Sequence, residues 1–135
     1  MNIQIEKHTG LRFGVTVRVR SHELIADLAA ADGGEDAGPT PHDLYDAALG
    51  ACKAMTVLLY AKRKEIPVEG ITVLVERDAS LESNGSYRLD ARLEIKGDIA
   101  PDQLRMLESV AHRCPIHRLM TTIATSIATR VERAT

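Results

Sequence analysis

The sequence predicts an α+β fold with antiparallel sheets packed around one long central helix, and three observations carry that reading. Apolar residues recur at a period of two in Phe13-Val15-Val17-Val19, in Ile71-Val73-Val75 and in Tyr87-Leu89-Ala91-Leu93-Ile95, the spacing of strands with one buried face. One proline-led run from Thr40 to Glu65 is apolar at helical spacing. The elements follow in the order βββα-ββ-αα-β, so strands pair as hairpins while helices stay few. A length of 135 residues with 44% hydrophobic content suits a single core, and one domain over residues 1–135 is expected.

The first strand is expected over Ile3–Lys7, where apolar and polar residues alternate, and His8-Thr9-Gly10 turns the chain into a second over Phe13–Val19. Glu23–Asp27 adds a third short strand after a turn near Arg20-Ser21-His22. Residues 31–39 mix glycine, acid and proline without either period and form a loop. At the helix start Thr40 is a good N-cap, Pro41 suits the first helical position, and Asp43 complements the positive end of the dipole. The helix is expected from Pro41 to about Glu65 and is apolar nearly all round. Its small residues Ala47, Ala48, Gly50, Ala51 and Ala54 allow close approach by other elements, and Cys52 lies among them. Ser83-Asn84-Gly85-Ser86 signals a hairpin between the next two strands. Pro101 opens a helix to about Arg113, Pro115 a shorter one to about Met120 with Cys114 as its N-cap, and a last strand is expected near Ile123–Val131.

With no Trp, one Phe and three Tyr, the core must be aliphatic, and its many alanines bury little area each, which makes burial across a dimer interface attractive. A net charge of -2 gives no footprint for nucleic acid or an anionic membrane. The basic run Lys62-Arg63-Lys64 reads as a solvated helix end. The N-terminus lacks a secretory pattern, and the charge-poor run Ala47–Ala61 is too short to span a bilayer and contains Lys53. A soluble, cytoplasmic protein with no nucleic-acid or membrane partner is therefore expected.

Two cysteines in such a compartment are redox-active or simply reduced rather than a static disulfide. The plain alternative is that both are buried small hydrophobes. Cys114 sits before Pro115 at a helix start, with His112, Arg113, His117 and Arg118 nearby, so local physics nominates it as the more acidic thiol. Cys52 lies in an apolar helix where burial favours the neutral form. Cys114-x-x-His117 with His112 is half of a zinc-ligand set, but no second cysteine pair completes it. Nucleotide-binding glycine motifs and a Gly-x-Ser-x-Gly elbow are absent, so neither cofactor nor metal is expected.

Gly38-Pro39-Thr40-Pro41-His42-Asp43-Leu44, Ala47-Ala48-Leu49-Gly50-Ala51-Cys52 and Cys114-Pro115-Ile116-His117-Arg118 together resemble the OsmC/Ohr family in order and spacing. The resemblance covers nearly the whole chain. It implies an intertwined homodimer with active sites at the subunit interface, and a thiol peroxidase in which Cys52 attacks an organic hydroperoxide and Cys114 resolves the product as a disulfide. An external dithiol, of lipoyl type in the family, then regenerates both thiols. The resemblance thereby reverses the local nomination of Cys114. It also implies an arginine that stabilises the attacking thiolate and a glutamate that orients the arginine. This chain departs there: His42 stands where the family has its Glu, so Asp43 is the candidate replacement, with Arg18 and Arg20 as candidate arginines. His42, Leu49, Met55 and His117 are expected to line the substrate pocket and interface. The altered acid motivates a rival expectation, a non-catalytic dimer that binds a small apolar ligand or senses oxidants.

Overall fold

The computed structural model describes residues 1–134 and is α+β, with two antiparallel sheets and one long helix, as the sequence predicts. The strands are β1 (Ile3–Lys7), β2 (Val15–Val19), β3 (His22–Ala26), β4 (Gly70–Asp78) and β5 (Arg88–Lys96). The helices are α1 (Pro41–Arg63), α2 (Pro101–Ala111) and α3 (Pro115–Thr121), with single 3₁₀ turns at Ala30–Asp32 and Glu82–Asn84. Contacts divide the described residues into two compact units: residues 1–48 with 75–89, and residues 49–74 with 90–134.

In the first unit β1, β2 and β3 form an antiparallel sheet with Ile5 opposite Val17 and Thr16 opposite Ile25. β2 starts at Val15 rather than Phe13, because the backbone closes a turn in which the His8 N–H donates to the Gly14 carbonyl, leaving Phe13 exposed. The buried Asp27 organises the loop after β3, accepting the backbone N–H groups of Leu28, Glu35 and Ala37 at 2.8, 3.2 and 3.1 Å. These bonds, the Ala37 one foremost, hold its carboxyl below the usual range against the cost of burial.

The start of α1 is a reciprocal capping box. The Asp43 N–H donates to Thr40 Oγ1 at 3.1 Å and the Thr40 N–H to Asp43 Oδ2 at 3.0 Å. The other end is a Schellman motif, in which the Ile66 N–H donates to Ala61 O, the Glu65 N–H to Lys62 O, and Glu65 takes φ 55. That geometry stops the regular helix at Arg63, two residues before the sequence reading. At 23 residues α1 is long and apolar enough, by length and composition, to cross a membrane, where the charge-poor run alone looked too short. Its buried Asp46 and Lys53 are each hydrogen-bonded to protein groups, as suits a core helix.

The core of the second unit joins Val57 and Ala61 of α1, Ile66, and Leu107 and Ala111 of α2, with Ile71, Leu93 and Ile95 packed against them. Gly97, at φ 145, lets the chain leave β5 beside Pro67, whose carbonyl would lie 2.2 Å from any Cβ there. Between β4 and β5 the turn is not a two-residue hairpin but a 3₁₀ turn closed by Gly85 at φ 89.

The last strand expected near Ile123–Val131 is not formed, and among the described residues none after Thr121 enters a helix or strand. Ile123, Thr125, Ile127, Thr129 and Val131 do alternate, but a strand needs a neighbour for its backbone groups. Ile127 and Val131 are 81% and 95% exposed, so no segment among the described residues supplies one.

Candidate functional site

Both cysteines lie in the second unit, and both are free thiols. Leu49, Lys53, Val57 and Ala61 form a row of buried residues four apart on α1, and half-buried Cys52 stands beside that row. Cys114 occupies the N-cap of α3 in extended backbone, with Pro115 as the first helical residue. Pro115 has no N–H to offer. The next amide, of Ile116, donates to Cys52 Sγ at 3.5 Å. The segment that carries one cysteine is therefore bonded to the sulfur of the other. Thr56 Oγ1 lies 4.0 Å from Cys52 Sγ on its far side in sequence.

Cys114 is fully buried, and burial pushes its thiol up. The His117 amide and the charge of Lys53 pull in the other direction, while the neighbouring Cys52 raises it further. The net rise is opposite to the acidic Cys114 that the helix start and nearby histidines suggested. Enclosure outweighs a short helix's dipole here, and an amide of its first turn is spent on Cys52.

Lys53 Nζ, on a residue only 6% exposed, donates to the Ala111 carbonyl at 2.8 Å and contacts His117 Nδ1 at 3.0 Å. An ammonium has donors only, so Nδ1 is the accepting nitrogen and the imidazole proton sits on Nε2. Burial, then the charges of Lys53 and His112, hold His117 below the usual histidine range and keep it neutral. A cavity of about 370 Å³ opens beside Lys53, walled by Leu93, Ile95, Leu104 and Leu107 with Arg92, Glu108 and His112 at its polar margin. Its lining is mainly apolar, and neither cysteine is part of it.

The first unit holds a separate polar cluster. Arg77 of β4 donates to Asp43 Oδ1 at 2.6 Å and to Asp46 Oδ2 at 2.5 Å. The Tyr87 hydroxyl donates to Asp46 at 2.8 Å, and burial followed by that carboxylate pushes the phenol up. Asp43 is held below the usual carboxylate range, first by the Thr40 amide and then by Arg77. His42 Nε2 meets Glu82 at 2.9 Å, and its ring packs edge-on to Tyr87 with centroids 6.0 Å apart. Pro41, His42, Tyr45, Glu82 and Tyr87 line a second, open depression of about 400 Å³.

Of the residues singled out in the sequence, Cys52, Cys114 and His117 share the second unit, together with buried Leu49 and exposed Met55. Asp43 meets an arginine, but that arginine is Arg77. Arg18 donates instead to Glu6 at 2.6 Å and Glu23 at 2.9 Å across the first sheet, and Arg20 stands at the β2–β3 turn with φ 54. Arg77 and Lys53 each broke a pattern in the sequence. Arg77, itself exposed, continues the register of half-buried Ile71, Val73 and Val75, and Lys53 interrupts the buried row of Leu49, Val57 and Ala61. A charge on an apolar register is the signal that marks both.

The sequence model of the family described as OsmC-like protein matches residues 33–130. No curated protein matches the chain in sequence. Among solved structures it is similar to an OsmC-like protein from Mycoplasma pneumoniae, at 18% identity over 90% of this chain and 87% of that one, with a TM-score of 0.73. An organic hydroperoxide resistance protein OsmC from Legionella pneumophila is 19% identical over 90% of each chain, with a TM-score of 0.66. The organic hydroperoxide resistance protein OhrB of Bacillus subtilis is 21% identical over 90% of this chain and 92% of that one, with a TM-score of 0.59. At these identities the structures share the fold.

Proposed function

The chain belongs to the OsmC-like family, and from that premise we propose that it is a thiol-dependent reductase of organic hydroperoxides, acting as a homodimer in the cytoplasm through a single domain. Family membership gives a redox or stress role. The thiol geometry supports the finer reading, and one observation carries it: the Ile116 amide two residues after Cys114 bonds to Cys52 Sγ.

In this reading Cys52, as the thiolate, attacks the terminal oxygen of the hydroperoxide. The O–O bond breaks, an alkoxide leaves and takes a proton to become the alcohol, and Cys52 becomes a sulfenic acid. Cys114 then attacks the Cys52 sulfur; the S–S bond forms, and the sulfenic hydroxyl departs with the thiol's proton as water. An external dithiol of lipoyl type reduces the disulfide, restoring two thiols and leaving as its own disulfide. The mainly apolar cavity beside Lys53, the residue that follows Cys52 on α1, would suit the alkyl part of a substrate better than hydrogen peroxide. No bound cofactor enters these steps.

The test is peroxide consumption with substoichiometric protein, cumene hydroperoxide and excess dihydrolipoamide. Many turnovers by wild type, none by Cys52→Ser, and arrest after one equivalent in Cys114→Ser are expected. If wild type consumes no peroxide and both thiols still titrate afterwards, the reading fails. The same cavity favours a second reading, capture of a small apolar ligand without turnover, and in that case Cys114→Ser binds the ligand as wild type does.

A further inference from the structure

Burying a lysine is costly unless its charge meets a compensating group, and Lys53 makes its two hydrogen bonds to neutral acceptors, the Ala111 carbonyl and His117 Nδ1. These two partners bracket Cys114 in the chain. One ends α2 and the other lies in α3, so the ammonium pins both arms of the turn that carries the thiol. We propose that Lys53 is the counter-cation of Cys114, holding a positive charge over that sulfur so that it ionises when the disulfide forms and opens, with His117 as the positioning residue that aims the ammonium. The proposal rests on the thiol-redox reading of the site.

The remaining charged and titratable groups around this place leave that role to Lys53. Cys52 lies on α1, and its ionised form would oppose a second thiolate. On α2, Glu108 and His112 line the cavity beside Lys53, and Arg92 of β5 faces the same space; Glu108 and His112 are both exposed and form no ion pair with Lys53. Neutral His117 contributes no charge of its own. Arg113 and Arg118, the cations nearest Cys114 in the chain, are both exposed, whereas Lys53 is buried beside the turn, and Arg18 and Arg77 are occupied by carboxylates of the first unit. The direction of the forces on Cys114 agrees with this role, since enclosure disfavours its thiolate and Lys53 favours it. A thiol with a high pKa is a poor leaving group when a reductant attacks the disulfide, and a fixed cation corrects that.

The experiment reads the ionisation of Cys114 itself, with no peroxide present. In a Cys52→Ser background, the ultraviolet thiolate absorbance is titrated against pH, with the Cys52→Ser/Cys114→Ser protein subtracting the three tyrosines. Lys53→Met is expected to raise the midpoint by about one pH unit, a roughly tenfold loss of thiolate at fixed pH below it, and Lys53→Arg to return it close to the starting value. A midpoint unmoved by Lys53→Met overturns the proposal, and so does an equal rise in both variants, which would mark a packing role without charge. Should Lys53→Met not fold, the reciprocal titration decides: in Cys52→Ser protein the side-chain nitrogen resonance of Lys53 must shift through the Cys114 midpoint, and a flat trace overturns the coupling. Absence of peroxide turnover would leave these titrations interpretable, so the two readings fail separately.

Discussion

Cys114 and His117 respond to pH in opposite senses, and the signs follow from where burial drives each group. The folded Cys114 thiol lies above its ordinary 9.0, so the folded chain keeps a proton that the unfolded chain has released. The stability it confers is whole below 9.0 and is lost as pH rises through the folded value. His117 lies below its ordinary 6.5, so its contribution is whole above 6.5 and is lost as pH falls through the folded value, when protonation also ends its role as acceptor for Lys53. Between those limits the two groups leave stability level. Urea midpoints measured across pH are therefore expected to fall on both sides. Cys114→Ala should flatten the first alkaline loss, while a further loss from Tyr87, whose phenol is raised above 10.0, persists. An alkaline limb that is identical in Cys114→Ala and wild type would contradict the enclosed thiol.

Helix α1 depends on its two ends as well as its buried row. Thr40→Ala removes the hydroxyl that accepts the Asp43 amide and is expected to destabilise the fold by about 1 kcal/mol, measured by chemical denaturation. Leu107→Ala, at the centre of the second unit's core, is expected to cost about 2–5 kcal/mol, because the helices around it relax only partly into the space. An effect below that of Thr40→Ala would mean that the core is not as packed there as its complete burial implies. The sequence was most legible where local chemistry decides the outcome. Thr40, Pro41 and Asp43 mark the helix start by their own hydrogen bonds, and the alternation in β4 and β5 follows from one buried face. It was least legible where a partner decides: the β-branched row from Ile123 to Val131 has strand character but no neighbouring strand among the described residues. At the site, the two cysteines and His117 could be picked by residue type. Arg77 and Lys53 carried only a charge on an apolar register as a signal, and the tertiary contacts alone reveal their partners, two carboxylates for exposed Arg77 and two neutral acceptors for buried Lys53.

At the scale of the whole molecule, the apolar surface left open by this chain bears on its association. Met55 and Leu59 of α1 are 62% and 59% exposed, and Ile127 and Val131 more so, although the protein's single Phe and three Tyr leave it few large side chains with which to build a core. Apolar groups of this size left in water forgo about 25 cal/mol for each Å² they expose, and covering them against a second copy recovers that. The net charge of -2 opposes self-association only weakly at physiological salt. A homodimer is therefore expected at micromolar concentration, with the β-branched row within its contact. Sedimentation velocity on wild type and on Ile127→Asp/Val131→Asp tests this: wild type should sediment as a dimer, and the double variant should shift toward monomer with a dissociation constant raised at least tenfold, about 1.4 kcal/mol. These two side chains touch no core in the single chain, so its own fold should survive the change, and circular dichroism should confirm that it does. A wild-type chain that stays monomeric would remove the interface from the proposed mechanism while leaving both thiols, which lie within one unit of one chain, able to form their disulfide. A dimer indifferent to the two charges would move its contact elsewhere, with exposed Met55 and Leu59 as the next residues to substitute.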